Sequence, residues 1–236
     1  MAAGLALALG ACGGDDPPAR ETRSGVPSAT QAATPAAPRA RRVRFRASDG
    51  KPVAGAYRPA GVAAPAVVLV NGLVGGAEQW DAFAAYLHAA GFATLAYEGR
   101  GGVDEAELVK EVRGAVAFLR RRRDVDTRRL GIVGSSVGVS TAVLAMTGPG
   151  RRRLRAAVAL SPPAAPVFDT LREQRRYHPR NVLFVSDHRE QSAVRSLARS
   201  AIGSRTAVSE MIGHGVALLE ADTNRRAVLD WLERHS

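Results

Sequence analysis

Apolar positions along this chain change period repeatedly after Arg41, and each change marks an element. Val43-Arg44-Phe45-Arg46 and Val53 to Tyr57 alternate apolar with polar or small residues around the turn Ser48-Asp49-Gly50, which predicts an opening hairpin. Ala66 to Val70 is a short, continuous apolar run, the pattern of a strand buried on both faces. From Glu78 to Ala90 the period lengthens: Trp80, Phe83, Ala84, Leu87 and His88 fall at helical spacing. Phe92 to Tyr97 reads as the next strand, and Asp104 to Arg123 as a long helix with Leu108, Val112, Ala115, Val116 and Leu119 on one side. Leu130 to Val133 predicts a buried strand, Ser136 to Met146 a helix, Ala156 to Leu160 and Asn181 to Val185 two further strands. A helix over about Gln191 to Ile202, a last strand over Arg205 to Met211 and a closing helix over Ala217 to Arg234 complete the pattern. Strands separated by helices in this way predict an α/β fold, a mostly parallel central sheet with helices on both faces.

Before Arg41 there is no such periodicity. Residues 13–40 are dominated by Pro, Ala, Thr, Ser and Arg, too little apolar surface to offset the entropy of ordering them, so they are expected to form a flexible tether. The remaining 41–236 suits one folded domain. Ala2 to Ala11 is apolar but too short to span a bilayer. It ends in Leu9-Gly10-Ala11-Cys12, followed by Gly13-Gly14-Asp15-Asp16. Residues 1–12 therefore resemble a bacterial lipoprotein signal, in which small residues precede a cysteine that becomes lipidated. Nothing basic precedes Leu5, which departs from that pattern. The resemblance implies lipidation of Cys12 and a membrane-anchored domain on the extracytoplasmic side. Cys12 is also the one cysteine of the chain, so no internal disulfide forms.

The net charge of +11 comes almost entirely from arginine, lysine being confined to Lys51 and Lys110. A GC-rich coding sequence accounts for such a bias; attraction to an anionic surface is the functional alternative. The densest runs, Arg120 to Arg123 and Arg151 to Arg153, fall at expected helix ends and loops and lack aromatic residues that would stack on bases, so no nucleic-acid partner is expected.

The candidate chemistry starts at Gly134-Ser135-Ser136-Val137-Gly138, a G-x-S-x-G motif between a buried strand and a helical pattern. In that setting the two glycines leave room for a sharp turn that lifts Ser136 above the sheet. No Gly-Lys-Ser/Thr follows, which excludes a P-loop.

At this motif the chain resembles the α/β-hydrolase superfamily, in particular its small, lid-poor members similar to dienelactone hydrolases and compact esterases or lipases, over roughly Val43 to His235. Asn71-Gly72-Leu73-Val74-Gly75-Gly76 looks like the family's H-G-x-x-G oxyanion loop with Asn71 in place of His. Tyr97-Glu98-Gly99-Arg100-Gly101-Gly102 looks like its D-x-R-G-x-G loop with Glu98 in place of Asp. The resemblance implies an oxyanion hole from the amides of Leu73 and Val137. It also implies His214, in Gly213-His214-Gly215 after the last strand, as general base for a Ser136 nucleophile. The other histidines, His88, His178, His188 and His235, do not occupy that place.

The acid lies in Val182 to Glu190. Aligning the strand puts Glu190 at the family's acid position, and Asp187 remains the alternative. Only Ser161 to Arg180 separates the sixth and seventh core strands, so no large cap domain is expected. There is no H-E-x-x-H and no Cys/His ligand cluster, so neither metal nor cofactor is expected. The implied activity is a serine esterase or lipase-like hydrolase acting, as a monomer, on a small-molecule or surface-presented ester. The alternative is a non-catalytic lipoprotein that keeps the fold as a binding or scaffolding module.

Overall fold

A computed structural model describes residues 39–101, 104–147, 153–163, 168–169 and 178–236, all within one compact unit, Ala36–Ser236. Cys12, the segment 1–12, nearly all of the tether 13–40 and most of the connector after Ser161 lie outside the described residues.

Eight strands form one sheet: β1 (Arg41–Arg46), β2 (Pro52–Arg58), β3 (Ala64–Val70), β4 (Ala93–Tyr97), β5 (Val125–Ser135), β6 (Ala156–Leu160), β7 (Val182–Ser186) and β8 (Arg205–Val208). Their spatial order is β1-β2-β4-β3-β5-β6-β7-β8. The opening hairpin pairs antiparallel, β2 joins β4 antiparallel, and every later pairing is parallel. Helices α1 (Asp81–Ala89), α2 (Glu105–Arg120), α3 (Val137–Thr147), α4 (Gln191–Ala198) and α5 (Asp222–His235) cover the two faces. The alternation within β3 sorts the core: Ala66, Val68 and Val70 join α2 and α3 on one face, while Val67 and Leu69 join Trp80, Phe83, Leu87 and Trp231 on the other. Burial on both faces explains why β3, β4, β6 and β7 are apolar nearly throughout, Thr94 and Ser186 excepted, without polar alternation. Among the described residues no large cap domain covers the sheet, and no helix is long and apolar enough to cross a membrane.

Several boundaries differ from the sequence expectation: β5 begins at Val125 rather than Leu130, a 3-10 turn precedes α1, α2 ends at Arg120, and three more have a visible cause. The closing helix does not run from Ala217. A 3-10 turn, Gly215–Glu220, comes first, and Ala221 (φ −75°, ψ 127°) separates it from α5. Asn224 holds this break, its Nδ2 donating to the Leu218 carbonyl at 2.7 Å and to Ser209 Oγ at 2.8 Å. Strand β8 ends at Val208, short of Met211, because Ser209 Oγ accepts the Met211 amide at 3.1 Å and turns the chain. Helix α4 stops at Ala198, and Ser204 Oγ then donates to the carbonyl of that residue at 3.0 Å.

Helix and sheet also approach closely where α3 begins. A Cβ on Gly138 would stand 2.4 Å from the Asn71 carbonyl oxygen and 2.6 Å from that of Val70. One on Gly134 would stand 2.4 Å from the Gly138 carbonyl oxygen. Alanine in an ordinary helix position gains about 1 kcal/mol over glycine. At Gly138 the collision reverses the sign, and Gly138→Ala should cost about 1–3 kcal/mol, the usual range for overpacking, read as a lowered midpoint in urea or thermal unfolding.

Candidate active site

Strand β5 rises out of the sheet at Ser135, and the chain turns into α3 through Ser136, whose φ of +52° lies in the left-handed region. A non-glycine residue pays about 1 kcal/mol or more for that conformation, and the surroundings must hold it there. They do: the Ser136 amide donates to the Leu160 carbonyl at 2.9 Å, and its own carbonyl accepts the Val139 amide at 2.8 Å. The loop after β3 comes close from the other side, so that a Cβ on Gly72 would lie 3.3 Å from the Ser136 Cβ.

Asn71 and Glu98, the two departures from the expected motifs, both act as braces. Asn71 Nδ2 donates to the Tyr97 carbonyl at 3.0 Å, and its Oδ1 accepts the Trp80 indole N–H at 2.7 Å. Glu98 Oε1 accepts the Ala77 amide at 3.1 Å, at the start of the 3-10 turn Ala77–Trp80. The loop that carries Leu73 is thereby tied to β4 and to the turn leading into α1.

His214 lies in the loop after β8, its side chain 57% exposed, and its Nδ1 is 2.8 Å from Glu190 Oε1. Glu190 stands just before α4 but caps nothing there. Its carboxylate is free for the imidazole because Asp187 organises the turn. The Glu190 amide donates to the Asp187 carbonyl at 3.3 Å, and Asp187 Oδ1 accepts the Arg189 amide at 2.9 Å.

Asp187 itself is fully buried and does not bond the ring. Its Oδ2 accepts Arg189 Nε at 2.9 Å, Arg189 Nη2 and the Gly213 amide at 3.3 Å. Past the histidine, the Gly215 amide donates to Ser161 Oγ at 2.9 Å. Both peptide neighbours of His214 are therefore pinned, one by Asp187 and one by Ser161. Ser161 and Asn224 had escaped the sequence reading: a serine after an apolar strand and an asparagine within a helical pattern carry no motif, and their partners are distant in the chain.

Ser136, His214, Gly72 and Leu73 line one cavity of about 500 Å³, together with Val74, Phe83, Val216 and Leu219. Leu73 and Val74 are exposed at 60% and 82%, so the opening has an apolar rim. Val137, the other expected oxyanion donor, follows Ser136 as the first residue of α3. His88 sits in α1 and His235 in α5, where its ring packs on Trp231 with centroids 4.0 Å apart. Among the described residues no group of three or more His, Cys, Asp or Glu side chains is disposed to hold a metal ion.

No family model matches the chain. Two uncharacterized proteins of Mycobacterium tuberculosis, MT2364 and Rv2307c, are 33% identical over 126 residues, a stretch that takes in 50% of this chain and 43% of each relative. The chain thus matches less than half the length of those relatives. Solved structures resemble it over most of its length. DcsB in complex with its substrate analogue superposes with a TM-score of 0.69 at 14% identity, covering 83% of this chain and 99% of that one. Dienelactone hydrolase from Anabaena variabilis gives 0.68 at 14% identity, covering 84% and 99%. The Pyrococcus furiosus esterase Pf2001 gives 0.68 at 15% identity, covering 83% and 92%. With the strand order above, these likenesses establish the α/β-hydrolase fold.

Asp187 leaves a signature in the pH dependence of stability. The Arg189 guanidinium on Asp187, assisted by the Arg189 and Gly213 amides, outweighs the opposing effect of burial and lowers its pKa from 3.8 to about 2. A depressed carboxylate stabilises the fold fully above its unfolded value and loses that contribution as pH falls through its folded value. Asp187→Asn should therefore lower the unfolding midpoint at neutral pH, and the difference from wild type should shrink as pH falls from about 4 toward 2. Thermal unfolding of both proteins across that range checks this.

Proposed function

We propose that the protein is a serine hydrolase that cleaves carboxylic esters through an acyl-enzyme on Ser136. The observation that carries the reading is the Glu190 carboxylate on His214 Nδ1, 2.8 Å away, beside a cavity that His214 shares with the strained Ser136. A carboxylate at Nδ1 favours the tautomer that keeps Nε2 free to accept a proton and stabilises the imidazolium once formed. His214 takes the hydroxyl proton as Ser136 Oγ attacks the ester carbonyl. The amides of Leu73 and Val137 receive the negative charge on the carbonyl oxygen. The imidazolium then protonates the departing alcohol, and water, activated by the same histidine, releases the acid and regenerates Ser136.

The apolar wall formed by Leu73, Val74, Phe83, Val216 and Leu219 suits an ester with an apolar acyl or alcohol group. An exposed histidine, with no large cap over it among the described residues, suits substrates presented on larger molecules or at a surface as well as small ones.

A fluorophosphonate probe tests the class of activity. Wild type should be labelled covalently, and Ser136→Ala should lose labelling while keeping its unfolding midpoint. Glu190→Gln should lower ester turnover by orders of magnitude, up to about 10⁴-fold, because the histidine tautomer is no longer held. An unlabelled wild type would instead favour the non-catalytic binding module.

We further propose that Cys12 carries a lipid anchor, on the strength of Leu9-Gly10-Ala11-Cys12. In a bacterial host fed a labelled fatty acid, the protein should incorporate label and sediment with membranes, and Cys12→Ser should lose both properties. An unlabelled, fully soluble wild type would refute the anchor.

A further inference from the structure

A second, smaller cavity of about 80 Å³ shares Gly72 and Leu73 of the expected oxyanion loop with the Ser136–His214 cleft. Its walls come from Asn71 to Leu73, from the 97–101 loop, from Leu108 and Glu111 of α2, and from Val137 and Thr141 of α3. Leu108 and Glu111 are three residues apart and Val137 and Thr141 four apart, so each pair shares a helix face. The cavity thus touches both residues whose amides would form the oxyanion hole.

Two polar side chains lining it are buried and incompletely bonded. Glu111 is 1% exposed and Thr141 0%. Glu111 Oε1 accepts Arg100 Nε at 2.7 Å and the Arg100 amide at 3.1 Å. Its Oε2 has no partner among the described residues, and neither has Thr141 Oγ1. A Cβ on Gly99 would lie 3.7 Å from that Oε2, which sets the carboxylate oxygen beside the 97–101 loop. A buried carboxylate oxygen and a buried hydroxyl left dry are both costly, the charged group more so. A volume of about 80 Å³ accommodates about two water molecules at roughly 30 Å³ each. Arg100 pairs with Glu111 and with Asp49, and Lys51 also faces Asp49, so the two carboxylates are matched by two cations and the site suits a neutral ligand better than a further cation.

We propose that this cavity is a hydration site, in which water bound to Glu111 Oε2 and Thr141 Oγ1 supports the loop carrying Leu73 and the helical turn carrying Val137. Glu111 and Thr141 are then positioning residues for the oxyanion hole, a role that rests on the hydrolase reading, whereas the hydration itself does not. Oxyanion stabilisation depends on donor placement to a fraction of an ångström, so loosening the support slows acylation more than it weakens substrate binding.

Thr141→Val keeps shape and removes the hydroxyl, and Thr141→Ser restores it. In a hydrated cavity Thr141→Val strands the water and lowers the unfolding midpoint; in a dry one it removes an orphaned hydroxyl and leaves the midpoint unchanged or raised. Fluorophosphonate labelling and kcat for an activated ester should fall about tenfold in Thr141→Val, with KM within about twofold, and recover in Thr141→Ser. A crystal structure of the wild type should contain ordered water between the two side chains. An unchanged or raised midpoint in Thr141→Val, or an empty cavity, overturns the hydration site. A lowered midpoint with unchanged labelling overturns the positioning role. A wild type that takes no label overturns the hydrolase reading, and the midpoint and the density still judge the hydration site.

Discussion

The crossing of α3 over the end of β3 is the contact on which the rest of the site depends. Main chain meets main chain there, with the Gly138 Cα against the carbonyls of Val70 and Asn71 and no side chain between them. That proximity forces the tight turn at Ser136, accounts for its left-handed backbone, and brings the Asn71–Leu73 loop against the serine. The turn that carries Ser136 and the nearness of the Asn71–Leu73 loop to it are consequences of one steric arrangement. Because the contact is made by backbone, little in it can relax, and a single methyl group is enough to disturb it.

On the opposite side of the cleft the arrangement is looser and is held by side chains. His214 has a glycine on either side, which gives its loop little stiffness of its own. Rigidity is supplied from outside: Asp187 holds the Gly213 amide, Ser161 the Gly215 amide, and Glu190 the ring. The two carboxylates of one turn thus divide the work. Asp187, buried and bound to Arg189, fixes the backbone; Glu190, nearer the surface, reaches the imidazole. The division follows from position in the turn, since the first residue can bond the amides ahead of it while the fourth points away from them.

Much of this was legible in the sequence, for identifiable reasons. Strands β3, β4, β6 and β7 are buried on both faces, so their apolar runs announce themselves. The elbow is legible because a steric constraint leaves a glycine signature at Gly134 and Gly138. The break between the 3-10 turn and α5 was hidden, because a long-range bond from Asn224 overrides a sequence that is helical in local preference. Glu111 and Thr141 were hidden for a similar reason. On α2 and α3 they read as ordinary members of helical patterns, and only the packing of the two helices brings them to one cavity.

Asn71 and Glu98 depart from the motifs that the two loops resemble, and their contacts show a different brace. Asn71 offers a donor and an acceptor, and it uses the first on the Tyr97 carbonyl and the second on the Trp80 indole. Glu98, next to Tyr97, spans to the Ala77 amide, three residues before Trp80. The two substitutions therefore act on the same pair of elements, the end of β4 and the turn into α1, and between them lies the loop that carries Leu73. The atoms on this side of the cleft that would meet a developing negative charge are main-chain amides. Side-chain identity around them is free to change as long as the backbone is held, and a different set of braces can hold it equally well.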